Sequence, residues 1–270
     1  MVSTVGLIDL RSAEAFLEGH IKASCSLPWQ RLPQSMYELP ANHFPIALIG
    51  DATQLEEAEQ FLQLKGYRVV ECFLSDAIFW DQAFKQALVE CGNHSVQLWQ
   101  ANPLLTEIID LLEAKISARN ALDLACGAGR DSVYLAQRGW QVTAIDYKAN
   151  ALERCNRLAK STQVEITTLL RDLENQPQPL ADLSTDLVLV MRYLHRPLFP
   201  AIDALIKSGG GIIYSTFMVG SEHFGSPRNP AYLLKPGELA KQFSGYEILV
   251  DEHRQLADGR PVALFAALKP

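Results

Sequence analysis

The chain has 270 residues, enough for one large or two modest domains. Its 48% apolar and 20% charged composition is ordinary for a globular protein, and no run approaches the roughly 18 to 20 apolar residues of a membrane span. The net charge of −7 is concentrated at the front, where residues 1–97 hold 12 acidic and 6 basic side chains against 19 and 18 in the remainder, so no basic stripe invites a nucleic acid.

The start "MVSTVGLIDL" has neither a basic nor a long apolar segment of signal-peptide type. Five cysteines (Cys25, Cys72, Cys91, Cys126, Cys155) are scattered without C-x-x-C spacing. The expectation is a cytoplasmic protein with free thiols, no disulfide framework and no metal site.

In chain order, "TVGLIDL" reads as a short strand and "SAEAFLEG" as a helix that Ser12 can cap. "FPIALIGD" is a second strand, "TQLEEAEQFLQLKG" a helix ending at Gly66, and "YRVVECF" a third strand. "LIDLRSAEAFLEGHIKASCSLPW" resembles the opening of a rhodanese-like domain, with D-x-R, a helix, G-H-I and an apolar segment ending in proline. The resemblance covers about residues 1–92. It implies a catalytic cysteine after "PIALIG", yet that place falls at about Gly50 and the following loop, "DATQLEE", is acidic. An amide cradle with positive charge lowers a thiol pKa, and an acidic loop does the reverse. Sulfur transfer is therefore not expected. The domain is left with a docking, covering or dimerising role.

Around "VECGNHSVQ", residues 89–97, the pattern lapses and marks a joint. "NPLLTEIIDLLEAKI" then reads as an amphipathic helix with Pro103 near its start. "ALDLA" is a buried strand and "DSVYLAQRG" a helix stopped by Gly139, which places Gly127 and Gly129 on a strand-to-helix turn. Such a turn allows close approach of a ligand, and the amides at the helix start hold an anion. "WQVTAID" is the next strand, with Asp146 at its end placed to accept from ribose hydroxyls. Ser132 stands where a dinucleotide fingerprint wants its third glycine, and Asp123 adds a carboxylate suited to a ligand ammonium. S-adenosylmethionine carries an ammonium, a carboxylate and a ribose.

These residues resemble class I S-adenosylmethionine-dependent methyltransferases. "LDLACGAGR" and "VTAIDY" look like the family's first two motifs. "TLLRDLE" and "TDLVLVMRYLHRPL" are similar to the segments around its third and fourth strands, and "LIKSGGGIIYSTF" to the glycine-containing turn before its fifth. The resemblance covers residues 98–270 and implies a doubly wound, Rossmann-like α/β domain with a mostly parallel seven-stranded sheet. It further implies a cofactor site of Asp123, Ala125, Gly127, Gly129, Arg130, Asp146, Tyr147, Asp172, Leu173 and Met191. Within it Asp123, Gly127 and Gly129 would hold the methionine end, Asp146 the ribose and Asp172 the adenine. Cys126 reads as a small shielded thiol beside the turn rather than a nucleophile.

In an open parallel sheet, ligands bind beyond the carboxyl ends of the strands. The segment after the fourth strand therefore offers Arg192 and His195 for catalysis, His195 as general base, and Tyr193 and Arg196 for the acceptor. The long segment after the fifth strand adds Arg228, Asn229 and Lys235. "GAGRDS", "RYLHRPL" and "PRNPAYLLKPGEL" resemble the tellurite-resistance-type subgroup, which implies a small, anionic or sulfur-containing acceptor. Two other readings stay open: a cofactor-binding regulatory module whose acidic front docks a protein, and a methyltransferase acting on RNA or protein.

Overall fold

The structure, a computed structural model, describes residues 5–176 and 180–270 and divides into two compact units, Met1–Gln100 and Ala101–Pro270. In the first unit, β1 (Gly6–Asp9), β3 (Ser24–Ser26), β4 (Ile46–Gly50) and β5 (Val69–Leu74) form a parallel sheet in the order β3-β1-β4-β5. Three helices accompany it, α1 (Ala13–Glu18), α2 (Ala52–Leu64) and α3 (Ala77–Lys85). A core of Ile8, Leu10, Ile46, Leu48, Ala58 and Leu62 joins α2 to the sheet.

Two caps explain where helices begin. Ser12 accepts from the Ala15 amide to start α1. Asp51 and Gln54 close a reciprocal capping box on α2, at 2.8 and 3.1 Å. Arg11 of the D-x-R pair donates to both oxygens of the fully buried Asp9 and to the Gly19 carbonyl, and its guanidinium lies 4.2 Å from the centre of the Trp80 ring. The expected joint begins too early: β6 (Val89–Glu90) pairs with β2 (His20–Ile21), and the division falls after Gln100. Two paired residues are too short a run for periodicity to reveal.

The second unit is built on seven strands: β7 (Asn120–Leu124), β8 (Gln141–Asp146), β9 (Thr167–Leu170), β10 (Thr185–Met191), β11 (Ile206–Phe217), β12 (Glu247–Gln255) and β13 (Pro261–Leu268). Their order is β12-β13-β11-β10-β7-β8-β9, and β13 alone runs against its neighbours. Strand alternation sends Leu122, Leu124, Val188, Val190 and Tyr214 to one face, where α7 (Phe199–Leu205) and α8 (Glu238–Gln242) pack. Ala121, Val142, Leu187, Leu189 and Ile213 point to the other, covered by α4 (Pro103–Lys115) and α5 (Arg130–Gln137). The remaining helix, α6 (Ala149–Ser161), packs on β8 and β9. The glycine-rich "KSGGG" is not a turn before the fifth strand. It lies within β11 as an irregularity, across which the pairing jumps from Thr185–Ile206 to Leu187–Gly211.

Candidate functional site

The β7–α5 turn is held from both sides. Ala125, Gly127 and Gly129 have φ of +59°, +58° and +77°, so three of five consecutive residues adopt the left-handed region. At Ala125 this costs on the order of 1 to 2 kcal/mol, because its Cβ crowds the following carbonyl. The two glycines serve different needs. A Cβ on Gly127 would meet nothing within 4 Å, whereas one on Gly129 would lie 2.3 Å from Cys155 Sγ. Gly127 thus leaves room for a ligand, and Gly129 lets α6 approach the turn. The Cys126 thiol is pushed up by a hydrogen bond with Cys155 and by burial, which keeps it protonated and inert.

Asp146 lies at the end of β8. Its Oδ2 accepts from the Gly127 amide at 2.9 Å and its Oδ1 from the Lys148 amide at 2.9 Å. A carboxylate has about four acceptor positions, so Asp146 braces the turn and retains capacity for ribose hydroxyls. Beside it opens a cavity of about 270 Å³ lined by Ala125, Asp146, Tyr147, Arg171, Asp172, Leu173, Glu174, Asn175, Tyr193 and Tyr232. Tyr147 is 61% exposed, offering an aromatic face, and Leu173 is buried beneath. Asp172 accepts from the Glu174 and Asn175 amides and from Asn175 Nδ2, and these bonds hold its carboxyl below the usual range. A larger cavity, about 820 Å³, lies at the amino ends of β7, β8 and β10, the wrong end of the sheet for a cofactor.

Asp123 lies deeper than the turn it precedes. Its side chain is 2% exposed, its Oδ2 accepts from Ser132 Oγ at 2.5 Å, and it is absent from the cavity wall. Burial, together with the Asp131 and Asp146 charges, raises its pKa to about 7. Asp123 therefore supports the turn from beneath, bonded to the first turn of α5. The same interior side holds Asp131, whose carboxylate accepts from the Asn102 amide at 2.6 Å and ties the start of α4 to that of α5. Desolvation raises its pKa while the Arg130 and Arg192 charges oppose the shift.

The segment after β10 separates residues that sequence had grouped. Met191 ends β10, half-buried against the α4 side of the sheet. Arg192 has φ +57° and its amide donates to Ser215 O at 2.6 Å, which aims its side chain towards Phe217 (5.9 Å to the ring centre). Such strain persists only where the surroundings over-determine it. Tyr193 lines the cavity, and its shielded hydroxyl has no hydrogen-bond partner within bonding geometry among the described residues. His195 sits 4.0 Å from Glu174 and near Asp172, at the Asp172 end of the cavity. Its ring thus lies beside acidic side chains. Arg196 is committed within the fold: it donates to both Glu238 oxygens, to Ala231 O at 2.7 Å and to Leu233 O at 2.9 Å.

In the segment after β11, Asn229 Oδ1 accepts from the Ala231 amide at 2.9 Å and caps the turn. Arg228 and Lys235 are exposed. Sequence reasoning missed Arg260, which lies over the Phe217 ring at 4.6 Å and is anchored on Asp258 and on Ser226 O. It missed Glu174, Asn175 and Tyr232 as well. "DLEN" could have signalled the first two, since an Asp followed by amides two and three residues on is an Asx-turn pattern. Nothing local marks Arg260 or Tyr232.

The comparisons with known proteins fit this geometry. Residues 121–210 match the family described as a methyltransferase domain. The chain is 30% identical over 167 residues to the ubiquinone biosynthesis O-methyltransferase of Bordetella avium, covering 52% of this chain and 66% of that protein. It is 28% identical over 138 residues to the probable S-adenosyl-L-methionine-dependent methyltransferase TehB of Haemophilus influenzae, covering 50% and 48%. The chain thus spans about half to two thirds of the length of these curated methyltransferases. An uncharacterized protein of Schizosaccharomyces pombe, UNK4.09, is 25% identical across 97% of this chain and 93% of its own length. Among solved structures, TehB from Haemophilus influenzae superposes with a TM-score of 0.51 at 22% identity, over 61% of this chain and 62% of that one. That likeness carries the fold. The turn, the braced Asp146, the cavity and the family match agree: residues 121–210 are similar to a methyltransferase domain, and the C-terminal unit has the fold of S-adenosylmethionine-dependent methyltransferases.

Proposed function

We propose that the chain transfers the methyl group of S-adenosylmethionine to a small, anionic or sulfur-containing acceptor beyond the carboxyl ends of β10 and β11. One observation carries the acceptor class. Two guanidiniums, those of Arg192 and Arg260, converge on the Phe217 ring, and the Arg192 guanidinium donates no hydrogen bond among the described residues. A cation left with free donors beside an aromatic plate suits a flat or compact anion. The names of relatives add support from both acceptor chemistries. One is an O-methyltransferase, and a thiopurine S-methyltransferase of Gluconobacter oxydans is 38% identical over 80 residues, covering 30% of this chain and 34% of that protein.

For the cofactor we assign the turn from Ala125 to Arg130 to the methionine end, Asp146 to the ribose, and Tyr147, Asp172 and Leu173 to the adenine. The sulfonium supplies an already activated methyl group, so the protein's task is in-line positioning within about 3 to 3.5 Å. A thiolate or oxyanion acceptor needs no general base, because it already carries the attacking electron pair.

The first unit supports a rhodanese-like domain that has lost sulfur transfer. At the place of the missing cysteine, the start of α2 is closed by the Asp51–Gln54 capping box, so two of the amides near a thiolate there are already bonded. Exposed Val70 and Leu74 on the edge strand β5, with Ile78 and Phe84 on α3, favour a docking or dimerising role, which a concentration-independent monomer mass on sedimentation would remove in its dimer form.

The test of the acceptor class compares 2-mercaptobenzoate with thiophenol, following S-adenosylhomocysteine release. The expected result is kcat/KM at least about tenfold higher for the anionic thiol, with Arg192→Met removing that preference and leaving cofactor affinity intact. Equal turnover of both thiols, or an Arg192→Met enzyme with wild-type preference, overturns the anionic reading.

A further inference from the structure

Arg196 holds more of the molecule together than its place after β10 suggests. Its guanidinium makes a two-point contact with the Glu238 carboxylate and also donates to the carbonyls of Ala231 and Leu233. Glu238 accepts in addition from the Lys235 amide at 3.0 Å, and Arg196 with that bond holds its carboxyl below the ordinary range. The two carbonyls flank Tyr232. That tyrosine is 44% exposed, while Leu233 and Leu234 immediately after it are buried. Leu234 is pinned in turn to the end of β11, its amide donating to Phe217 O at 2.9 Å and its carbonyl accepting from the Val219 amide at 3.0 Å.

The consequence is a short segment with one free aromatic ring, fixed by bonds on both sides of that ring. The ring faces the cavity that Tyr147, Asp172 and Tyr193 also line. The core has no use for Tyr232, since nearly half of its surface stays in water. Four directed bonds on the flanking residues nonetheless set its backbone. We propose that Arg196 is a positioning residue for the cofactor: it latches residues 229–238 so that Tyr232 forms the wall of the adenine end of the cavity opposite Tyr147. The proposal rests on the cofactor occupying this cavity. Arginine is required because a planar fork serves carboxylate and carbonyls together, whereas a lysine ammonium keeps the charge but reaches fewer of them.

The test is calorimetric titration of S-adenosylhomocysteine into the full chain, using wild type, Tyr232→Ala, Arg196→Lys and the double variant, with thermal unfolding in parallel. Tyr232→Ala removes a largely exposed ring, and the expected result is affinity about tenfold weaker with an unchanged melting temperature, in line with aromatic–base stacking. Arg196→Lys is expected to weaken binding by a similar factor. Because both act through one ring, the double variant should bind no more weakly than Tyr232→Ala alone. A merely structural Arg196 would lower the melting temperature and multiply its effect onto that of Tyr232→Ala. Wild-type affinity in Tyr232→Ala, or multiplying losses in the double variant, overturns the proposal. A wild-type chain that does not bind S-adenosylhomocysteine overturns the cofactor assignment itself and the latch with it.

Discussion

Gly129 and Gly127 sit two residues apart with the same sign of φ, yet their neighbours separate what each contributes. Gly129→Ala drives a methyl group into Cys155 and adds left-handed strain, for an expected loss of about 2 to 4 kcal/mol in chemical denaturation. Gly127→Ala meets no protein atom and should cost the fold about 1 to 2 kcal/mol, with its larger effect on cofactor affinity. Equal stability losses at both positions would contradict this division. Asp123 makes a second residue-scale prediction. Its folded pKa of about 7 lies above its ordinary value of 3.8, so below about pH 4 both folded and unfolded forms are protonated and the penalty is absent. As pH rises from about 4 to 7 the unfolded chain sheds this proton before the folded one, and that stability is lost. Asp123→Asn should therefore gain on wild type in melting temperature between pH 5 and pH 8. Parallel curves across that range would show that Asp123 titrates normally.

Among the elements, α2 is set by its own first residues. Its first turn is closed by a carboxylate and an amide from its own sequence, so Asp51→Ala should destabilise the first unit by about 1 kcal/mol in denaturant unfolding. No change would mean that the box is not formed in solution. The capping residues of α1 and α4, Ser12 and Asn102, are local signals of the same kind, which is why those helices were legible within a residue or two. Strand and helix alternation made the β7–α5–β8 unit legible, since Leu122, Leu124, Val142 and Ile145 carry the buried pattern. The irregular start of β11 was not, because three consecutive glycines read as a turn when the pairing partner is unseen. The same limit applies to charged side chains. Arg196 and Arg192 look alike in "MRYLHRPL", and only the fold shows one saturated by Glu238 and two carbonyls and the other unbonded at its guanidinium. Arg260 and Tyr232 reach the site from segments far along the chain, where no local spacing marks them.

At the scale of the molecule, two α/β units share one chain, and they differ where a strand ends and a helix begins. In the first, the strand-to-helix junction after β4 is closed by its own side chains; in the second, the junction after β7 is held open by left-handed residues and braced by Asp146. Among the described residues no helix is long and apolar enough to cross a membrane. The central claim is that the open junction holds S-adenosylmethionine with Asp146 as its ribose partner. The most direct measurement is a calorimetric titration of S-adenosylmethionine into wild type and Asp146→Ala, with NAD as control. The account predicts micromolar binding by wild type, none of NAD, and affinity at least about tenfold weaker in the variant. Binding of NAD instead, or an Asp146→Ala protein with wild-type affinity, would contradict it.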